Sequence, residues 1–205
     1  MTPEPEPITA TVEHTKLRRV VALVGGANLA YFFVEFVVAQ RIGSVSLFAD
    51  SVDFLEDAAI NFLIFVALGW SFLRRARAGM VLSGILLIPA LAFLWTAWQR
   101  LTDVAVPEPG ILTGTGIGAL IVNVGCAVLL TRFRNHSGSL TRAAFLSARN
   151  DAFANLAIIA AGLVTFAWRS GWPDLVVGLG IAAMNADAAA SVWKAARKER
   201  TAAAS

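Results

Sequence analysis

Six apolar segments occupy almost the whole chain and restrict the folds that are open to it. They run over about Arg19 to Arg41, Ser44 to Leu73, Gly79 to Leu101, Gly110 to Thr131, Leu140 to Trp168 and Pro173 to Ala195. A helix needs about 20 consecutive apolar residues to cross a bilayer, so each segment is long enough to span a membrane once. We therefore predict an all-α, polytopic membrane protein with six transmembrane helices, numbered here as spans 1 to 6.

Composition supports the same class. Hydrophobic residues make up 57% of the chain and charged residues 15%, against about 25% charged residues in soluble domains. Residues 1–15 are rich in proline and lack a helical period, so we predict a disordered N-terminal tail rather than a signal peptide. The remainder divides into a six-helix transmembrane domain at 16–198 and a short C-terminal tail at 199–205. The single Cys126 excludes an internal disulfide.

Basic residues predict the orientation of the helices. With six spans both termini lie on one side, and thirteen of the Lys and Arg residues fall on that side. Arg41, Arg100 and Arg169 fall on the opposite side, and Arg149 lies within a span. The positive-inside rule then places both termini in the cytoplasm. The net charge of +3 is explained by these basic residues, which orient the helices in the membrane. We therefore expect no nucleic-acid partner.

Span 2 contains an acidic cluster formed by Asp50, Asp53, Glu56 and Asp57. A charged side chain at the centre of a bilayer costs roughly 2.5 to 3.5 kcal/mol even on lenient insertion scales. On a helix, Asp50, Asp53 and Asp57 fall within about 60° of one another, whereas Glu56 lies to one side. Asp53 and Asp57 are one turn apart, so their oxygens can reach for one ion. The cluster therefore indicates chemistry with a cation.

Span 5 carries a second polar island, at Ser147, Asn150 and Asp151, again with helical spacing. Counting 1.5 Å per residue from the predicted inner boundary places Asp57 about 13 Å and Asp151 about 12 Å into the membrane. The two islands are thus predicted to meet inside the bundle. A cation between them, or protons when no cation is present, would offset much of the cost of burying the carboxylates.

These residues resemble the motifs of the cation diffusion facilitators, a family that exports divalent transition metals in exchange for protons. Asp53 and Asp57 are similar to the family's most specific motif, a His or Asp followed four residues later by Asp. Span 5 resembles the second half-site, in which a His or Asp precedes an Asp by four residues. Asp151 matches that Asp, whereas Ser147 stands at the other position. The resemblance implies Asp53, Asp57 and Asp151 as metal ligands.

Ser147 leaves the fourth coordination position open to several groups. The Ser147 hydroxyl, the Asn150 amide oxygen, the Asp50 carboxylate and water are the candidates. Carboxylates without His or Cys favour manganese, iron(II), cobalt or modestly bound zinc as the transported metal. The resemblance further implies protons as the second substrate and a homodimer in the cell inner (plasma) membrane, with no resident cofactor and no enzymatic reaction. It also implies a membrane-only member without the family's usual cytoplasmic domain.

Two other functional classes are compatible with buried aspartates or with apolar helices. An intramembrane aspartyl protease also places two aspartates on separate helices. That class is disfavoured because its Tyr-Asp and Gly-x-Gly-Asp surroundings are missing: Asp151 follows Asn150, and Gly178-Leu179-Gly180 leads to Ile181. A non-transporting membrane scaffold is the second alternative, although its helices would not need three aspartates.

Further polar residues within the spans have a structural or a functional interpretation. Asn28 and Glu35 in span 1 resemble the family's first-helix pattern of Asn followed by Glu. A role in the ion path and simple hydrogen bonding between helices are equally compatible with that pair. The remaining such residues are predicted to bond neighbouring helices, with proton relay as a second option for the last: Asn123, Asn155, Asn185 and Asp187.

Overall fold

The computed structural model describes residues 8–67, 91, 94–99, 105–131 and 139–184, with side-chain detail from Thr15 onward except at 67 and 139–146. The main helices within these residues are α1 (Ile8–Ile42), α2 (Val45–Ala67), α3 (Pro109–Thr131), α4 (Ser139–Ala167) and α5 (Trp172–Met184). Residues 94–99 are also helical, and the described part of the chain contains no strand. Most of span 3 and the second half of span 6, with Asn185 and Asp187, lie outside the described residues.

The helices correspond closely to the predicted spans: α1, α2, α3, α4 and α5 match spans 1, 2, 4, 5 and 6. Three described segments are long and apolar enough to cross a membrane, namely Thr15–Ile42, Pro109–Thr131 and Ser147–Ala167. Trp172–Met184 is a shorter apolar helix, and α2 differs from the others by its four acidic residues. The predicted all-α, polytopic membrane class is confirmed, while the side on which the termini lie stays a prediction.

One boundary differs from the sequence-based prediction. Helix α1 begins at Ile8, inside the segment 1–15 that was predicted to be a disordered tail. Pro7 is the last proline before this helix. Once a helix has nucleated, each added residue gains one backbone hydrogen bond at little cost. The helix can therefore propagate backward from the apolar part of span 1 until it meets the proline-rich stretch.

The four long helices pack as a bundle. The most extensive contacts join α1 to α2 and α3 to α4, and further contacts join α1 to α3 and α2 to α4. Each helix is thus flanked by two others, and α2 is flanked by α1 and α4. The two polar islands of the sequence therefore lie on neighbouring helices.

Buried apolar residues form two separate clusters along the bundle. The outer cluster lies at the end that the positive-inside rule places outside, and includes Val45, Leu47, Leu112, Ile158, Leu175 and Ile181. The inner cluster lies at the opposite end, and includes Leu17, Val21, Val24, Ile64, Cys126 and Leu130. Between them lies a layer of buried polar side chains, which includes Asn28, Glu35, Asp50, Asp53, Asp57, Asn61, Asn123 and Asn155. Asp50, Asp53 and Asp57, three of the functional candidates, fall in this layer.

A two-residue turn fixes the start of α2. Gly43 has a positive φ of 68°, a conformation that lacks steric cost only for glycine. The Ser44 N–H donates to the Ala39 carbonyl at 3.1 Å, which is the bond of a Schellman C-cap on α1. The Ser44 hydroxyl in turn accepts the Leu47 N–H at 3.1 Å and so caps the N-terminus of α2. The short turn therefore ties α1 and α2 together at the predicted outer end.

Candidate metal centre

Helix α2 turns its acidic face into the bundle. Asp50, Asp53 and Asp57 are 0%, 7% and 4% exposed, which agrees with the helical spacing that places all three on one side. One turn beyond Asp57, the Asn61 amide donates to the Asp57 backbone carbonyl at 2.8 Å. Three carboxyl groups are thus presented by one rigid helix to the interior of the bundle.

Helix α4 brings the second polar island to this face. The Ser147 hydroxyl donates to Asp57 Oδ1 at 2.9 Å across the contact between α4 and α2. The half-buried Asp151, one turn further along α4, lies within hydrogen-bonding reach of the Asp57 carboxyl. The structure therefore brings together Asp57, Ser147 and Asp151 as the sequence predicted.

Asp53 completes the acidic group. Asp53 lies one turn before Asp57 on the buried face of α2 and is 7% exposed, and Asp151 is among the carboxyl groups near it. In the residues that the structure describes, no three His, Cys, Asp or Glu side chains already stand as a ligand set around one point. Like-charged carboxylates repel one another unless a cation lies between them. Asp53, Asp57 and Asp151 are therefore neighbours that do not form a ready ligand set as they stand.

Two candidates for the fourth ligand lie elsewhere. Asn150 is exposed, and its Oδ1 accepts a hydrogen bond from the Arg149 guanidinium at 3.4 Å. Asp50 is directed to a different partner, because its Oδ2 accepts the Asn155 amide N–H at 2.5 Å. Ser147 is thus the candidate that the structure places against the acidic group.

An amide chain links the acidic face of α2 to α3 and α4. The Asn123 amide of α3 donates to Asn155 Oδ1 at 2.9 Å. The amide N–H of Asn155 in α4 in turn donates a hydrogen bond to Asp50 Oδ2. The predicted role of Asn123 and Asn155 in bonding neighbouring helices is confirmed. The link to Asp50 was not predicted, although the position of Asn155, one turn beyond Asp151, is a signal that places it on the same side of the helix.

Glu35 of α1 adds another carboxyl beside this chain. It is fully buried and lies next to Asp50. Within the described part of the molecule, both Glu35 oxygens and Asp50 Oδ1 lack a hydrogen-bond donor. Two ionised carboxylates cannot bond to each other, whereas a proton or a cation held between them supplies what both lack. Glu35 thus extends the polar layer toward the outer cluster.

The model of a known protein family matches most of the chain. The model of the cation efflux transmembrane domain matches residues 21–199. The chain belongs to the cation efflux family. No curated protein matches it at a significant level. As a member of the family it is a cation transporter with several membrane-spanning helices, and it belongs among transporters rather than enzymes.

The family match and the geometry concern the same helices. The matched range includes all of α2 and α4, and with them both polar islands and Asn155. A cation transporter needs a polar site at membrane depth that is built from few groups and shielded from lipid. In the described residues of this cation efflux protein, the group formed by Asp53, Asp57, Ser147 and Asp151 lies between two apolar clusters and is the candidate for such a site.

Proposed function

We propose that this cation efflux protein exports a divalent transition metal from the cytoplasm across the inner (plasma) membrane in exchange for protons. The observation that carries the proposal is the Ser147 hydroxyl on Asp57 Oδ1 at 2.9 Å, with Asp151 beside it. This contact joins the two half-sites within the polar layer. A metal bound there lies between the two apolar clusters and can be released to either side when one of them opens.

The proposed ligands are Asp53 and Asp57 of α2 with Asp151 of α4. The Ser147 hydroxyl or a water molecule held by it supplies a fourth oxygen. An all-oxygen set favours manganese, iron(II), cobalt or modestly bound zinc over copper, because it lacks the nitrogen and sulfur donors that softer metals prefer. Modest affinity suits a carrier, since the ion has to leave the site in each cycle.

A metal panel on the reconstituted protein tests this function. Proteoliposomes carrying a metal-sensitive dye should take up manganese, iron(II), cobalt or zinc faster than protein-free liposomes, and internal pH should change in the same experiment. Calcium and magnesium serve as hard-cation controls. Absence of flux for every transition metal would overturn the proposal.

The side chain at position 147 should set the metal preference. Ser147→His adds an imidazole nitrogen next to Asp57, and nitrogen ligands favour zinc over manganese. We expect the ratio of zinc to manganese affinity to rise by at least about tenfold, which corresponds to 1.4 kcal/mol. Equilibrium binding of both metals to the purified variant measures this ratio.

Two control variants isolate the effect at position 147. Ser147→Ala removes the hydroxyl without adding a ligand, and Asn150→His adds an imidazole to the exposed side of the same helix. Both should leave the ratio of the two affinities close to that of the natural chain. An unchanged ratio in Ser147→His, or an equal rise in Asn150→His, would remove position 147 from the metal centre.

The proposed carrier acts as a homodimer formed through its transmembrane helices. Packing of helices in lipid relies on close apolar contacts and small residues, both of which the chain offers on its exposed faces. Crosslinking in membranes should therefore give a dimer band in preparations that transport metal. A strictly monomeric preparation with full transport activity would contradict this assembly.

A further inference from the structure

A buried carboxylate connects the start of α5 to the start of α2. Asp174 is 2% exposed, and its Oδ1 accepts the Ser44 hydroxyl at 2.6 Å and the Ser46 hydroxyl at 2.5 Å. Its Oδ2 accepts the Val45 N–H at 2.7 Å, and the Ser46 N–H lies 3.3 Å from Oδ1. One side chain therefore receives four hydrogen bonds from three consecutive residues of another helix.

Helix geometry explains how this charge is accommodated. The first N–H groups of a helix have no partner within the helix, and the N-terminus carries partial positive charge. Asp174 lies in the first turn of α5 and accepts the free N–H groups at the start of α2. Its carboxylate is thus stabilised by two helix N-termini at once. Removing it would leave several buried donors without an acceptor.

The backbones of the two helices also approach closely here. A Cβ added to Gly178 would lie 2.8 Å from the Val45 carbonyl carbon and 2.9 Å from the Ser46 N, so only glycine fits. Leu175 and Ile181 of α5 belong to the same buried cluster as Val45 and Leu47 of α2. The start of α2 is therefore closed against α5 by polar and apolar contacts together.

We propose that Asp174, Ser44 and Ser46 form a latch that closes the path from the metal centre to the predicted outer side and opens for release. The proposal rests on the proposed transport function. Asp53 lies nine residues beyond Ser44, which is about 13 Å along α2, so an ion leaving outward passes the latch. The turn at Gly43 ties α1 to α2 through the backbone at this end, whereas α2 and α5 are joined here by hydrogen bonds and side-chain packing that can part.

The chemistry of the contact suits repeated opening. Water can replace each hydrogen bond of the latch when the helices separate, so opening costs less than leaving the same donors buried without an acceptor. With all four bonds formed, the closed state is nevertheless well defined. Asp174 is on this basis a positioning residue: it acts on the transported ion through α2 and does not ligate it.

Thiol labelling tests the latch. In a Cys126→Ala background, Ala49→Cys places the single thiol on α2, between the latch and Asp53, at a position that is buried in the closed state. Asp174→Asn, or Ser44→Ala with Ser46→Ala, should raise the rate of labelling by a membrane-impermeant reagent at least about tenfold. The rise is expected from the side that carries Gly43, as judged by comparing right-side-out and inside-out vesicles.

A matched control and a second readout keep the test specific. Glu108 is also a helix-capping carboxylate at the predicted outer end, where it accepts the Gly110 and Ile111 N–H groups of α3, but it is exposed. Glu108→Gln should leave the labelling rate unchanged. Bound metal per protein should also stay unchanged in the Asp174 and serine variants, because the latch holds no ligand.

Each outcome separates the latch from the transport function. Unchanged labelling in the Asp174 and serine variants would overturn the latch, and so would faster labelling accompanied by loss of metal binding, since that indicates a loosened fold. The Cys126→Ala, Ala49→Cys protein with an intact latch could neither bind nor move metal while Asp174→Asn still raised the rate of labelling. In that case the proposed transport function would fail and the latch would stand.

Discussion

Asp57→Ala and Asp151→Ala are each expected to abolish metal transport while leaving a folded, membrane-inserted protein. Asp57 accepts the Ser147 hydroxyl and lies beside Asp151, so each substitution removes one of three proposed ligands. We expect metal affinity to fall by at least about 100-fold, which corresponds to about 2.8 kcal/mol. Metal uptake into proteoliposomes and equilibrium metal binding measure this loss.

The neighbouring acid Glu56 provides the matched control. It precedes Asp57 on the same helix but is half-buried rather than fully enclosed, and the helical spacing places it to one side of the ligand face. Glu56→Ala should retain transport close to that of the natural chain. Full transport by Asp57→Ala or Asp151→Ala would overturn the assignment of the metal centre, whatever Glu56→Ala does.

The same two substitutions carry an expectation about stability. In the absence of metal, each removes a carboxyl from a crowded, like-charged group, which relieves repulsion. We therefore expect the metal-free variants to unfold in detergent at the same temperature as the natural chain or at a higher one. Added metal should stabilise only the natural chain, because a ligand stabilises the state that binds it.

The pairing of α2 with α4 was accessible to sequence reasoning because it depends on local periodicity and depth. Asp53 and Asp57 are one turn apart, and a count of residues from the membrane boundary places Asp57 and Asp151 at similar depth. Both inputs are properties of single helices. The structure then needed only to place α2 next to α4, which the contact between Ser147 and Asp57 reflects.

The directions of Asp50 and Asn150 could not be predicted in the same way. A helical wheel groups Asp50 with Asp53 and Asn150 with Ser147, but it does not say which neighbouring helix lies against each part of the face. Asp50 meets Asn155 and Glu35 because α1 and α4 flank α2 on both sides. Asn150 falls on the exposed side of α4, next to Arg149. Tertiary packing decides such cases.

The latch was also inaccessible from sequence. Ser44 and Asp174 are 130 positions apart, and nothing in the sequence around Asp174 points to Ser44 or Ser46 as its partners. A carboxylate in the first turn of a helix usually indicates nothing more than a favourable charge at its own N-terminus. Only the packing of α5 against α2 shows that it caps a second helix.

Metal and protons are expected to compete for the carboxyl groups of the metal centre. Asp57 and Asp151 lie within hydrogen-bonding reach of each other, and Asp53 is close to both. Carboxyl groups that lie this close together take up and release protons as a group. A divalent ion needs deprotonated ligands, so metal and protons compete for the same oxygens. When metal leaves, protons can take its place and keep the net charge of the buried group low.

This competition fixes the sign of the pH dependence. Protons occupy the ligands at low pH, so metal affinity should rise with pH over about 5.5 to 7.5 and level off once the shared protons are gone. Metal export should also acidify the side from which the metal is taken. Calorimetry in buffers of different ionisation enthalpy counts the protons released per metal bound, and Glu56→Ala should give the same count as the natural chain. Release of no protons per metal bound, together with a metal affinity that is flat over this pH range, would exclude antiport. Nothing would then link the movement of metal to that of protons, and the protein would act as a uniporter or a metal channel.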